Sequence, residues 1–394
     1  MAPICLLNNY ISGIVNLNVV IQFKLSAMPL FMDYHVAPGV TIEEAKRAHM
    51  KDLAVQEKYN VKYHQFWVNE ADGIVFCLME GPDKESCVAT HREANDVEVC
   101  NIIEVDGGMY SAFMAYDQAL DHGIVMKNSS QTDSGYRFIL TLDIISLAIL
   151  NKTIDFDQLK FPDKPQLVAA DCIHRFQGRI LQQLNNDTMT ATFYTPESAV
   201  QCAVAIKEEF CRNIDSSGDG WNIKFRMGIS VGQPVTEHEN RLFERAVEQS
   251  NHLCRIAEDG DILSSVLVRK LSVFCDQEIE KNNLKVINEA EQSFLDNLFT
   301  IVEGHFSDEG FGVEKLSREI GVSRPHLYRK IRNLTGISPI GFIRDLRLSK
   351  ALYLIKQKKK NITEIALDIG MNNPSYFAKC FQLKYGILPS HVAV

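Results

Sequence analysis

Arg324, Tyr328, Arg329 and Arg332 recur at spacings that place them on one side of a helix, because Leu327, Ile331 and Leu334 occupy the other. About fifty residues later Phe377 and Phe381 take the buried side, and Asn372, Ser375 and Lys379 face outward. Guanidinium and ammonium groups gathered on one face suit phosphate oxygens. Far upstream lie His35, His49 and His91, which by spacing alone read as surface or hydrogen-bonded core histidines, and His64, on a strand with Trp67, reads as packing.

The elements that carry the basic faces repeat. Leu316-x-x-x-Ile320-Gly321-Val322 and Ile365-x-x-x-Ile369-Gly370-Met371 match at an offset of 49, and Gly336-Ile337-Ser338-Pro339 and Gly386-Ile387-Leu388-Pro389 match at 50. Each copy reads as a short helix, a glycine turn and a longer helix, the glycine supplying the positive φ that such a turn demands. Ser323 is expected to cap the second helix of the first copy. Asn373 is expected to do the same in the second copy, with Pro374 at the first helical position. Between the copies the helix Pro339 to Gln357 has two opposed apolar stripes, Phe342, Leu346 and Tyr353 against Leu348, Ala351 and Ile355. A helix apolar on two sides fits a spine joining two lobes. The run Lys358, Lys359 and Lys360 follows it, where it reaches phosphate or solvent.

Charge follows the same division. The 394 residues carry a formal charge of −9, yet from Thr300 onward 15 basic side chains face 8 acidic ones, so the preceding residues are strongly acidic. An acidic body with a basic tail domain points to a regulator whose last domain meets phosphate. The 46% hydrophobic and 23% charged composition excludes fibrous and disordered classes. Ten cysteines without a CxxC pair indicate reduced thiols rather than a disulfide framework or zinc knuckle. Met1 to Phe23 is uncharged, but Asn8, Asn9, Asn16, Asn18 and Gln22 are too polar for a membrane span, and no basic region marks a signal peptide.

From Pro29 to Val105 the pattern runs strand, helix, strand, strand, helix, strand, with Thr41 and Glu44 forming a capping box at the first helix. That order is the split βαβ arrangement of ferredoxin-like folds. The expected organisation is multidomain: an extension over 1–27, an α+β ferredoxin-like domain over 28–108, a linker over 109–135, an α+β domain over 136–285 and an all-α double helix-turn-helix domain over 286–394. In the second α+β domain the clearest strand is Ile223 to Val231 and the clearest helix Pro196 to Arg212, with Ala199, Ala203, Ile206 and Phe210 on one face.

Gly370-Met371-Asn372-Asn373-Pro374-Ser375-Tyr376-Phe377-Ala378-Lys379-Cys380-Phe381, ending in Gly386-Ile387-Leu388-Pro389, resembles the signature of the AraC/XylS family of transcription regulators, from about Glu303 to Pro389. The resemblance implies two helix-turn-helix units that place their second helices in successive major-groove segments about 34 Å apart on double-stranded DNA. It makes Arg324, Tyr328, Arg329, Asn373, Ser375 and Lys379 groove or base-edge residues, with Arg329 able to grip guanine through two hydrogen bonds. Ala378 and Cys380 depart from commoner polar or basic types, which implies a weaker grip by the second helix.

Asn186-Asp187, Phe225-Arg226-Met227-Gly228-Ile229-Ser230-Val231-Gly232 and Ala257 to Ser264 resemble class III nucleotide cyclases. Asp143 and Asp187 fall where that family holds its metals, but Glu248 and His252 stand where it has asparagine and arginine. A carboxylate beside a pyrophosphate leaving group opposes the developing charge. The resemblance therefore implies a fold kept for ligand binding or dimer contacts, with no catalytic residues; the alternatives are a cyclase fused to a DNA-binding domain and a different α+β domain. Met28 to Val105, with His35, Arg47-Ala48-His49, Val75 to Leu78 and His91-Arg92-Glu93-Ala94, resembles small nickel-binding proteins of ferredoxin-like fold. That likeness implies nickel on His35, His49 and His91, with Asn95 replacing a further histidine, and a natural start at Met28. The whole reads as a cytoplasmic, homo-oligomeric transcription regulator with DNA as partner and no membrane contact.

Overall fold

A computed structural model describes residues 28–96, 98–114, 119–146, 165–185, 188–216, 223–272 and 284–392; the extension 1–27 and Asp187 lie outside them. Two units emerge, Met1–Phe138 with Val231–Val247, and Ile139–Ser230 with Glu248–Val394.

In the first unit the strands β1 (Leu30–Val36), β2 (Lys62–Asn69), β3 (Ile74–Glu80) and β4 (Asn101–Glu104) alternate with helices α1 (Ile42–Val55) and α2 (Lys84–Asn95). The four strands lie in the order β4-β1-β3-β2, the antiparallel ferredoxin-like arrangement that the strand and helix order implies. The expected capping box is present, with the Thr41 hydroxyl accepting the Glu44 N–H and the Glu44 carboxylate accepting the Thr41 N–H at 2.9 Å. Phe31, Phe66, Met79, Cys87 and Ile124 are among the residues that fill the core between helices and sheet.

The segment expected to be a linker is structured. It contains the helix α3 (Gly107–Phe113) and a hairpin of β5 (Leu120–Asp121) and β6 (Ile124–Val125), and β6 extends the sheet beside β2. Its polar run suggested solvent, yet Asp133 is buried, accepting the Arg137 guanidinium at 2.8 and 3.1 Å and the Trp67 indole N–H at 3.2 Å. A buried, hydrogen-bonded ion pair turns polar sequence into core. Residues 231–247, expected in the second α+β domain, also belong here: Phe243 stacks on Phe113 at 4.7 Å, and the Asn101 amide donates to the Thr236 and Glu239 carbonyls.

The second unit repeats the same strand logic. Its sheet of β7 (Arg137–Ser146), β8 (Arg179–Asn185), β9 (Thr188–Phe193), β10 (Ile223–Gly232), β11 (Ile262–Ser265) and β12 (Leu284–Ile287) runs β12-β11-β10-β7-β9-β8, so β10-β7-β9-β8 reproduces the ferredoxin-like order and two parallel strands extend it. Helices α4 (Pro165–Arg175), α5 (Pro196–Ser216), α6 (Glu244–Ile256) and the short α7 (Val266–Leu271) accompany it. Ala199, Ala203, Ile206 and Phe210 of α5 are fully buried, as their spacing predicts. A side chain at Gly228 would meet the Ser250 carbonyl oxygen at 2.2 Å, so only glycine lets α6 lie this close to β10.

Helix α8 (Glu289–Gly304) leads to α9 (Val313–Ile320), α10 (Arg324–Thr335), α11 (Pro339–Lys356), α12 (Ile362–Asp368) and α13 (Pro374–Tyr385). Gly321 and Gly370 take φ of +78° and +67° at the two turns. The α11 spine buries Phe342, Ile343 and Leu346 in one cluster and Leu348, Ala351 and Ile355 in another. Tyr353 departs from the expected stripe, being 40% exposed beneath the Lys350 ammonium. Asn373 caps α13 by accepting the Tyr376 N–H at 3.0 Å, whereas Ser323 stands at the start of α10 without a side-chain cap bond. The first of these clusters is shared: Phe294, Leu295, Leu298 and Phe299 of α8 pack with Leu253, Ile256 and Leu263 as well as with Leu316, Leu327 and Ile331. Among the described residues no helix is long and apolar enough to cross a membrane.

Candidate functional site

Strand β1 sends Asp33 and His35 to the same face, since residues two apart on a strand share a side. Cys77 on the paired strand β3 and His91 on α2 complete a buried group whose ligand atoms all lie within 4.8 Å of one another. Asp33, with no exposed surface, holds the group together: Oδ2 lies 2.6 Å from His91 Nε2 and 3.1 Å from His35 Nε2, and Oδ1 accepts the Cys77 N–H at 2.8 Å. Asp52 stands 3.3 Å from the other His91 nitrogen, and the Asn95 amide, donating to Asp52 at 2.9 Å and to the Ala48 carbonyl at 3.1 Å, holds that carboxylate in place. The position where a further histidine was expected thus carries the residue that orients Asp52.

Burial works against a charged imidazole at His91, yet the Asp33 carboxylate, with Asp52 behind it, outweighs burial and raises its pKa to about 10. Burial would likewise raise Asp33, but the two imidazoles hold it well below the usual carboxylate range. The Cys77 thiol is pushed well above its ordinary value by burial and then by Asp33 and Asp52. His35 Nδ1 lies 3.1 Å from the Glu98 carbonyl, which can only accept, whereas Nε2 is buried 3.1 Å from Asp33 Oδ2 without a hydrogen bond of proper geometry. An orphaned nitrogen facing a carboxylate beside a thiol and a second imidazole fits a borderline transition-metal ion. Asp33, His35, Cys77 and His91 would hold it, and Asp52 would accept the outer N–H of His91 as carboxylates commonly do behind metal-bound imidazoles.

His49 is close by but differently placed. Its ring packs on Phe66 at 4.7 Å and on Tyr63 at 5.9 Å, burial lowers its pKa, and its Nδ1 is a buried orphan outside the four-residue group. The structure therefore brings together two of the three expected histidines, His35 and His91. It adds Asp33 and Cys77, whose signal was a polar residue and a thiol on alternating strands that otherwise read as core.

On the helical domain Arg324, Tyr328 and Arg329 of α10 are exposed, and Arg332 with them. Arg324 pairs with Glu314 at 2.6 Å, and Lys330 lies 4.1 Å over the Phe294 ring, so Arg329 and Arg332 are the cations of this face that no described contact engages. On α13 Ser375 and Lys379 are exposed, and the Asn373 oxygen is spent on its cap. Cys380 belongs to the core, so the departure at that position takes nothing from the outward face. Tyr376, 53% exposed at the start of α13, joins that face without having been expected there.

In the middle domain Asp143 is paired with Arg226 at 2.8 Å, and His252 stacks on Phe299 at 4.1 Å while bonding Asp296 at 3.0 Å. Asp143 and His252, expected from the cyclase resemblance, are thus engaged in contacts within the fold.

Residues 316–393 match the helix-turn-helix domain family model. The paired helical lobes are similar to helix-turn-helix domains. The chain is similar to the HTH-type transcriptional activator RhaS of Mannheimia succiniciproducens, 29% identical over 188 residues, which are 47% of this chain and 65% of the activator. The chain thus spans less than two thirds of that relative's length. Residues 31–105 match the nickel responsive protein SCO4226-like family model. The crystal structure of SCO4226 from Streptomyces coelicolor A3(2) is 38% identical, covering 19% of this chain and 94% of that one, with a TM-score of 0.19. A crystal structure of an adenylate/guanylate cyclase/hydrolase from Silicibacter pomeroyi is 26% identical, covering 35% of this chain and 79% of that one, with a TM-score of 0.29.

One expectation for the SCO4226-like domain follows from the charge on His91. A metal held there would have to displace that proton and the Cys77 thiol proton, so each unit of pH below about 10 should change the affinity for Ni²⁺ about a hundredfold, tighter at higher pH, with release of two protons. Calorimetry of Ni²⁺ binding to the full chain in buffers of different ionisation enthalpy measures that release; a release of fewer than two protons at pH 7 would remove His91 or Cys77 from the ligands.

Proposed function

We propose that the protein is a sequence-specific transcription regulator whose SCO4226-like domain takes up nickel as its signal. The observation that supports the DNA half is the pair of glycine-turned helical units, each presenting a polar outer face on its second helix. The nickel half is supported by the orphaned His35 Nε2 within the Asp33, His35, Cys77 and His91 group.

Among the DNA-facing residues, Arg324, Tyr328, Arg329, Asn373, Ser375 and Lys379 meet the grooves, and Arg329 reads a base. Its guanidinium is exposed and unengaged by any described contact, so it is available to a guanine edge. Arg329→Ala should cost roughly 1 to 3 kcal/mol and relax preference at a particular base pair, whereas Lys359→Ala should weaken all sequences alike and lower the salt slope by about one at most. Binding isotherms on a selected and a scrambled duplex at several salt concentrations check both; wild-type discrimination by the Arg329→Ala protein would exclude it from base reading.

A further inference from the structure

The two helix-turn-helix lobes have separate cores, and something must set the angle between them. The α11 spine alone would leave that angle to the bending of a helix. At the junction lies Arg347 of α11, only 9% exposed, with no carboxylate partner among the described contacts. Its guanidinium donates instead to two main-chain carbonyls on opposite sides: Nη2 to Asp308 at 2.6 Å, in the loop before α9, and Nη1 to Gly370 at 3.3 Å, in the turn between α12 and α13. Burying a cation against carbonyls alone is costly, so a specific arrangement is being held.

The flanking contacts run between the same two places. The Asp308 carboxylate accepts the Lys315 ammonium of α9 at 2.9 Å and the Gly310 N–H at 2.8 Å, which ties the loop to the first lobe. The same loop reaches the second lobe through Ser307 Oγ, which donates to the Asp368 carbonyl at 2.8 Å, and through Glu309, which accepts the Asn372 amide. A side chain at Gly370 would meet the Phe306 carbonyl oxygen at 2.6 Å and Arg347 Nη2 at 3.0 Å, so glycine is required there by contact as well as by its φ of +67°.

We propose that Arg347 is a positioning residue that clasps the two lobes together, so that it sets the permitted spacing between the two DNA segments the protein reads. This rests on the DNA-binding reading above. Arg347 touches no base; it fixes where the second recognition helix falls relative to the first. One base pair inserted between the segments turns the second by about 34° and shifts it by about 3.4 Å, which a held pair of lobes cannot follow.

The test uses the full chain. A bipartite site is selected from randomised duplexes by the wild type, and affinities are measured for that site, for versions with one base pair added or removed between its halves, and for the first half alone. The wild type should lose at least about tenfold on either altered spacing, whereas Arg347→Met should differ by less than about threefold among the three spacings and bind the first half as the wild type does. Arg347→Lys, which retains a donor, should fall between them. If Arg347→Met fails to fold, Ser307→Ala and Asn372→Ala each remove one flanking contact and should flatten the spacing dependence to a smaller degree. Full wild-type spacing dependence in the folded variants would overturn the proposal. A wild-type chain that selects no sequence at all would refute the DNA-binding reading, and this inference with it.

Discussion

His91→Ala should destabilise the N-terminal unit by roughly 3 to 5 kcal/mol with no metal added, because removing one partner of a buried ion pair strands the other charge. Asp33 has no exposed surface, and without His91 it keeps the Cys77 N–H and His35 at 3.1 Å. The pH dependence carries the same signature. His91 has a folded pKa of about 10 against an ordinary 6.5, so its contribution is complete below about 6.5 and lost as pH rises through 10. Urea unfolding followed by the fluorescence of the buried Trp67, in a chain carrying Trp221→Phe, reports on this unit. The wild type should weaken from pH 7 to 10 and the variant should not. Adding Asp33→Asn to His91→Ala should recover part of the loss, since it removes the stranded charge. A change under about 1 kcal/mol for His91→Ala would mean that Asp33 is solvated or neutral, and the account of the centre would fail.

Phe299→Ala should cost roughly 3 to 5 kcal/mol and also change how the second unit unfolds. The ring is fully buried, stacked on His252 at 4.1 Å and edge-on to Phe342 at 5.2 Å, with the Arg255 guanidinium 5.9 Å from its centre. It therefore links α6 of the middle domain to α11 of the helix-turn-helix domain through α8. Scanning calorimetry of the full chain should show the second unit's transition split in two in the variant, because the shared core is what couples the lobes. An unsplit transition with an unchanged midpoint would show that the apolar contact across α8 is dispensable.

What could be read from the residues, and what could not, follows from range. The capping box at Thr41, the glycine turns at 321 and 370 and the cap at Asn373 depend on neighbours within four residues, and they stand as expected. The two-sided spine was legible because α11 satisfies two cores at once, and only Tyr353 at its exposed edge departs. The hairpin at 120–125 stands where a linker is expected, and the polar run after it is drawn into the core by Asp133 and Arg137, a pair whose satisfaction no local pattern reveals. The centre was half legible. His35 and His91 were expected, but Asp33 and Cys77 come together only when β1 pairs with β3, a contact more than forty residues apart. The second role of α8 was hidden for the same reason, since one apolar stripe does not say how many partners it has.

The central claim is that this chain reads DNA sequence and that nickel alters the reading. Genome-wide mapping of bound DNA sites in cells expressing the full chain, with and without added nickel, tests it most directly. The account predicts discrete sites sharing a bipartite sequence, with occupancy that changes on nickel addition for the wild type and not for His91→Ala. Uniform low coverage without a shared sequence, or the same sites at the same occupancy in both conditions, would contradict it.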